Sequence, residues 1–213
     1  METADKRATI YVVDDDPAVR KGLRRLLKSA GYGVESFASA EDFLVLDKCD
    51  NGPACLILDL QMSGMNGLAL QEEITSQNRI MPIIFVTAHG DIPSSVKAIK
   101  NGAVDFLSKP FDDEKLFDAV EEALIKAAKA RAVLEEKEGI RQRLDTLTAR
   151  EYEILTYVIA GLLNKQTAYT LEISEKTVKI HRARIMEKMG VDSVAQLVRL
   201  AEKIEVQPAE VSI

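Results

Sequence analysis

Five side chains able to handle a phosphate or a cation stand where apolar runs stop. Asp14 and Asp15 follow Ile10-Tyr11-Val12-Val13, and Asp59 follows Leu56-Ile57-Leu58. Thr87 closes Ile83-Ile84-Phe85-Val86, and Lys109 comes after Val104-Asp105-Phe106-Leu107-Ser108. Carboxylates brought together repel one another, so full ionisation of the bare cluster is disfavoured unless a cation joins them. Magnesium, which takes a few carboxylates together with waters and a phosphoryl oxygen, suits such a group. A carboxylate is also a nucleophile toward phosphorus, giving an aspartyl-phosphate. An ammonium such as Lys109 would neutralise the equatorial oxygens during that transfer, and Thr87 would donate a hydrogen bond to the product. Alone, Asp59 also admits the lesser reading of a cap for the next helix; the set argues for a site. Asp16, the third acid of its run, has no required part and reads as solvated.

Bringing these residues together is the work of the elements between them. Aliphatic runs at 9–13, 54–58, 82–87 and 104–107, with a shorter one at 33–37, predict five buried strands whose carboxyl ends carry the chemistry. Helical spacing fills the gaps. Pro17 starts a helix that ends at Gly31, Ser39 caps one running to about residue 46 with Asp42 in the acid place of a capping box, and others cover 68–75 and 93–100. Gly64 and Gly67 allow a tight loop beneath Asp59, and Gly102 stops the fourth helix. Strand–helix alternation of this kind predicts an α/β, doubly wound, five-stranded parallel sheet with helices on both faces, and in such sheets ligands collect at the strands' carboxyl ends.

After residue 112 the pattern changes. Leu116, Val120, Leu124 and Ala127 repeat at helical spacing, and no proline or glycine intervenes before Gly139. One long helix to about residue 138 follows, a semi-rigid spacer leading through Ile140, Leu144 and Leu147 to a second domain. That domain shows no strand pattern. Helices at 149–160, 165–171, 175–189 and 194–203 fit, the first opened by a Thr148–Glu151 capping box. The expected organisation is a domain at 1–125, a helical linker at 126–146, an all-α domain at 147–204 and a disordered tail at 205–213.

The chain has 213 residues, 46% hydrophobic, and a net charge of −6. The average hides an asymmetry: residues 1–125 carry 13 basic and 21 acidic side chains, the remainder 15 and 13. Charge that differs between halves points to two tasks. Cys49 and Cys55 are too few for a disulfide framework and lack metal-ligand spacing; Cys55 reads as a small buried residue. His89 and His181 lie in different halves, which argues against a histidine metal site. No run approaches the roughly 20 apolar residues of a membrane span, and residues 1–7 carry no secretion core. The expected location is the cytoplasm.

Val13-Asp14-Asp15, Leu58-Asp59, Val86-Thr87-Ala88 and Lys109-Pro110-Phe111 resemble the receiver domain of two-component response regulators, a flavodoxin-like fold. The resemblance spans about residues 9–127. It implies Asp59 as phosphoacceptor, Asp14 and Asp15 as the acidic pair, and Mg2+ held by these three with the Gln61 carbonyl. It also implies Thr87 and Lys109 as the phosphate-sensing pair, a cis Lys109–Pro110 bond, and Phe106 as the aromatic that moves on phosphorylation. Ser63 departs from the family's common proline and is expected to loosen the loop after Asp59.

In the second domain, two helices joined by Glu172-Ile173-Ser174 suit a helix-turn-helix. The second helix presents Lys176, Lys179, Arg182, Arg184 and Lys188, while Val178, Ile185 and Met189 form an apolar stripe for the core. A basic outer face then remains for the major groove and phosphates, unless it is merely a solvated charged surface. Leu147-Thr148-Ala149-Arg150-Glu151, Gly161 with Asn164-Lys165, and Thr177-Val178-Lys179-Ile180-His181-Arg182 resemble the LuxR-type DNA-binding domain. Thr167 and Glu172 replace its commoner isoleucine and glycine, with little consequence expected for binding. Together with His89-Gly90-Asp91 and Gly102-Ala103-Val104-Asp105-Phe106, the combination looks like the FixJ-type branch.

The resemblances imply a transcription regulator, an activator rather than an enzyme, that takes a phosphoryl group from a histidine kinase, forms a homodimer and binds promoter DNA beside RNA polymerase. DNA contacts are expected from Asn164, Lys165, Lys176, Thr177, Lys179, Ile180, Arg182 and Arg184. Dimer contacts are expected from Val96, Ile99, Lys100 and Val104, and from Val194 and Val198. A phosphate-sink module whose second domain contacts protein is the competing reading, opposed by the basic helix. A hydrolase of the aspartyl-phosphate type would want an acid where Gln61 stands.

Overall fold

Side chains alternate between two faces along each strand of a parallel sheet, so a run that is apolar at every position must be covered on both sides. The strands here are such runs. The computed structural model describes residues 8–46, 52–88 and 92–210; Cys49 and the His89-Gly90-Asp91 segment lie outside these. Two units are distinguishable, Met1–Ala132 and Val133–Ile213.

In the first unit, β1 (Thr9–Val13), β2 (Gly33–Phe37), β3 (Ala54–Leu58), β4 (Ile83–Thr87) and β5 (Asp105–Ser108) form one parallel sheet of order β2-β1-β3-β4-β5. Every residue of β1, β3 and β4 is buried. Tyr11, Val13, Leu56, Leu58 and Phe85 share a core with Phe43, Leu70, Ile74 and Ala98. These last four come from α2 (Ala40–Leu44), α3 (Gly67–Ser76) and α4 (Ile92–Lys100). The alternate residues Ile10, Val12, Ile57, Ile84 and Val86 pack with Leu23, Leu27, Leu116 and Val120. Those belong to α1 (Pro17–Ser29) and to the start of α5 (Asp113–Leu144).

Local chemistry sets the boundaries. Pro17 opens α1, and Asp16, expected to be solvated, is its N-cap, accepting from the Ala18 N–H at 2.7 Å. Ser39 caps α2 through the Asp42 N–H, but that helix ends at Leu44, two residues short of the expected stop. Asn66 caps α3. Gly67 is dictated by crowding, since a Cβ there would lie 2.3 Å from the Asp59 carbonyl oxygen and 2.9 Å from the Phe85 ring.

The long helix α5 does not stop near residue 138. Gly139 costs it about 1 kcal/mol of propensity, but Ile140 is fully buried in the second unit's core and Leu144 packs against it, so the helix runs on to Leu144. The second unit adds α6 (Ala149–Ile159), α7 (Asn164–Thr170), α8 (Glu175–Met189) and α9 (Val194–Lys203). Ile154, Leu155, Val158, Val178, Ile185, Met189 and Leu197 form its core. The tail was expected to be disordered from residue 205. Instead Val206 packs on that core and the Ala209 N–H donates to the Thr156 carbonyl at 3.1 Å, because an apolar residue one turn past α9 has surface to cover. No helix among the described residues is long and apolar enough to cross a membrane.

Candidate functional site

The strand order reverses at β1, whose neighbours are β2 on one side and β3 on the other, and crevices form at such switch points. Val13 is in register with Leu58, and the Asp59 N–H donates to the Val13 carbonyl at 2.9 Å. The residues that follow, Asp14, Asp15 and Asp59, thereby come together: one carboxylate oxygen from each lies within 4.8 Å of the others. Across β4 and β5, Thr87 is in register with Ser108, and the Lys109 N–H donates to the Thr87 carbonyl at 2.8 Å. Thr87 is 1% exposed. The Lys109–Pro110 bond is cis.

Lys109 Nζ closes the cluster, 2.6 Å from Asp14 Oδ2 and 3.0 Å from Asp59 Oδ2. Burial alone would depress the Lys109 pKa, but hydrogen bonds to the two carboxylates outweigh it and hold the ammonium above its usual range. Burial raises the Asp14 carboxyl, against the pull of Lys109. Asp14 Oδ1 also accepts from the Asp16 N–H at 2.8 Å, and the Arg20 guanidinium binds the Asp14 carbonyl at 2.6 Å. Asp15 is different. It is exposed, and its Oδ2 accepts from both the Ser63 N–H (3.0 Å) and the Ser63 hydroxyl (3.1 Å); the backbone bond from Ser63 leads in holding its pKa down. The loop expected to be loosened by Ser63 is therefore tied by it to Asp15, two residues past β1. Asp59 Oδ1 takes the Gln61 N–H at 3.2 Å. Behind the site, Phe106 on β5 is half-buried and stacks on Phe85, centroids 6.1 Å apart.

Three hard carboxylate donors facing one another, two of them sharing a single ammonium, form an oxygen-ligand set that fits a magnesium-sized divalent cation better than a softer metal.

The second candidate surface is on α8. Val178, Ile185 and Met189 are buried, and Lys176, Lys179, Ile180 and Arg184 are exposed on the opposite side. Thr177 and Arg182 are half-buried. The Thr177 N–H donates to the Ser174 hydroxyl at the N-cap, and the two hydroxyls lie 2.8 Å apart. The Arg182 guanidinium donates to the Leu162 carbonyl at 3.4 Å, in the turn before α7. Asn164 is half-buried and Lys165 exposed at the start of α7. Glu172, where a glycine is commoner, has φ 54°, in the left-handed region that costs a residue with a Cβ about 1–2 kcal/mol.

Residues 10–121 match the response regulator receiver domain, and residues 145–201 match the bacterial regulatory proteins of the luxR family. The chain is a response regulator. It is 45% identical over 202 residues to the response regulator protein TodT of Pseudomonas putida, covering 95% of this chain and 88% of that one. To the transcriptional regulatory protein FixJ of Rhizobium meliloti it is 42% identical, covering 91% and 94%. Among solved structures, the response regulator StyR superposes with a TM-score of 0.80 at 48% identity, covering 92% of this chain and 99% of that one. The regulator thus joins a receiver to a LuxR-family DNA-binding domain.

The structure gathers Asp14, Asp15, Asp59 and Lys109 at one site and leaves the apolar residues Val96 and Ile99 of α4 45% and 47% exposed, with Lys100 exposed beside them and Val104 half-buried. Val194 is 38% exposed and Val198 half-buried, while Leu197 is core. Three supports escaped the sequence reading. Glu41 Oε1 accepts from the Met65 N–H at 3.0 Å, pinning the loop after Asp59. Arg143 donates to the Met189 carbonyl at 2.8 Å, at the end of α8. Lys188, expected on the basic face, turns inward to the buried Glu151 at 2.6 Å and to the Thr146 carbonyl at 2.9 Å. Only the Glu151 capping box carried a sequence signal.

Proposed function

We propose that the regulator takes a phosphoryl group on Asp59 from the phosphohistidine of a partner kinase, the P–N bond breaking as a P–O bond to the Asp59 carboxylate forms. Asp14, Asp15, Asp59 and the Gln61 carbonyl would hold Mg2+. When bound, that ion supplies positive charge to the transferring phosphoryl oxygens. Lys109 binds one phosphoryl oxygen, exchanging part of its contact with Asp59. The Thr87 hydroxyl reorients to donate to another. Phe106 then turns inward against Phe85 and reshapes the surface of α4, biasing a pre-existing equilibrium toward a homodimer.

The dimer presents two copies of α8 to promoter DNA, with Lys176, Lys179, Ile180 and Arg184 toward bases and phosphates, and Asn164, Lys165, Thr177 and Arg182 on the backbone. Its outcome is altered recruitment of RNA polymerase in the cytoplasm, with control of transcription rather than turnover of a substrate. The observation that carries this reading is the Lys109 ammonium held between Asp14 and Asp59, beside Asp15, with the Lys109 N–H bonded to the Thr87 carbonyl.

Acetyl phosphate with Mg2+ tests it. The wild type is labelled, whereas Asp59→Asn keeps the fold and takes no label. Full labelling of Asp59→Asn would move the acceptor elsewhere.

A further inference from the structure

Every carboxylate of the cluster is held, two of them by the same ammonium. Asp14 is fixed by Lys109 and the Asp16 N–H, and Asp59 by Lys109 and the Gln61 N–H. Asp15 is the exposed member, and it is held from a distant loop by Ser63, 48 residues along the chain. Both Ser63 bonds fall on Oδ2, leaving Oδ1 clear of that residue.

The loop that carries Ser63 is itself anchored. The Met65 N–H donates to Glu41 Oε1 at 3.0 Å, the Gly67 N–H to the Leu60 carbonyl at 3.0 Å, and Asn66 caps α3. Ser63 is therefore a fixed point, and Asp15 bonded to it gives up rotamers that a free exposed carboxylate would sample. The second donor is a property of serine: alanine would keep the N–H alone, and proline would offer neither group.

We propose that Ser63 is a positioning residue for Asp15, presetting this carboxylate through paired backbone and hydroxyl hydrogen bonds so that it meets a divalent cation without reordering. The inference rests on the assignment of Asp14, Asp15 and Asp59 to a cation site. Partners that orient a ligand in this way raise affinity because the ordering is complete before the ion arrives.

Calorimetric titration of the unphosphorylated full chain with MgCl2 at fixed ionic strength tests both levels. Ser63→Pro binds Mg2+ about tenfold more weakly than wild type, Ser63→Ala about threefold more weakly, and Ser63→Thr, which keeps both donors, within about twofold. Metal-free thermal midpoints of Ser63→Ala and Ser63→Thr coincide, which separates positioning from a loss of folding. If Ser63→Pro does not fold, the Ala and Thr pair decides. Asp15→Asn serves as control for the cation site. If it loses Mg2+ binding while Ser63→Ala binds as tightly as Ser63→Thr, the role of Ser63 is overturned and the cation site stands. If Asp15→Asn binds Mg2+ like wild type, the cation assignment itself fails, and the Ser63 proposal with it.

Discussion

Lys109 and Asp14 are 95 residues apart in sequence, yet their charged atoms meet at 2.6 Å with the Asp14 side chain only 3% exposed. The ammonium neutralises carboxylates that would otherwise face each other at the switch point. Lys109→Met removes it and leaves the buried charge of Asp14 without its partner, a loss of roughly 1–3 kcal/mol in metal-free solution. Mg2+ should then bind more tightly than to wild type, because the ion no longer meets a resident cation, and should recover part of the stability. Urea unfolding with and without Mg2+ reads both effects. Equal or weaker Mg2+ affinity in the variant would show that Lys109 does not compete for the site.

The second buried ion pair makes the DNA-binding unit acid-sensitive. Lys188 and the Thr148 N–H hold Glu151 at a pKa of about 2, against 4.5 for the free side chain. Because the folded value lies below the unfolded one, the stabilisation is complete above pH 4.5 and drains away as pH falls toward 2. Hydrogen exchange of α6 and α8 amides, wild type against Glu151→Gln, should show an advantage for wild type at pH 6 that narrows steadily below pH 4.5. A constant difference across that range would exclude the ion pair as its origin.

Much of this was legible because apolar runs that must be buried on both faces can be little other than parallel strands, and the chemistry sits where they end. Ile10–Val13 and Leu56–Leu58 placed Asp14, Asp15 and Asp59 with no tertiary information. The end of α5 was not legible. Gly139 is a local stop signal, and what overrides it is the burial of Ile140 in a core assembled from α6, α7, α8 and α9. Val206 failed in the same way, its partners being distant in sequence. The cap signature of Asp16, an acid before Pro17, is masked by its neighbours Asp14 and Asp15, whose chemistry offers a competing reason for the acid. The role of Ser63 is not legible locally, because its hydrogen bond spans 48 residues of chain.

On α8, two residues separate affinity from specificity. Arg182 is half-buried against the Leu162 carbonyl and reaches the edge of the basic face, whereas Lys179 is exposed, with Glu175 a loose 3.9 Å away. Arg182→Ala should weaken binding to all DNA by a common factor and lower the salt slope by about one unit, as loss of one phosphate contact requires. Lys179→Ala should cost about 1–3 kcal/mol on sequences selected by the wild type and much less on random DNA. Salt titrations on both kinds of fragment decide the matter. A full salt slope for Arg182→Ala would remove it from the phosphate contacts.

A small helix-turn-helix makes limited contact, and such modules bind paired half-sites as dimers, so under the proposed function phosphorylation is expected to control pairing. Val96 and Ile99 offer the surface: apolar, nearly half exposed, and on the helix whose Ala98 shares a core with Phe85 and Phe106. Phe106 is half-buried against Phe85, placed to transmit a change at Thr87 one strand away. The chain should be largely monomeric alone and dimeric with beryllofluoride and Mg2+. Val96→Asp should stay monomeric under both conditions, since pairing would strip water from an unpartnered carboxylate, while labelling at Asp59 by acetyl phosphate proceeds at the wild-type rate. Sedimentation velocity of the beryllofluoride-treated variant is the measurement, and a full shift to dimer would exclude the α4 surface as the contact that phosphorylation creates.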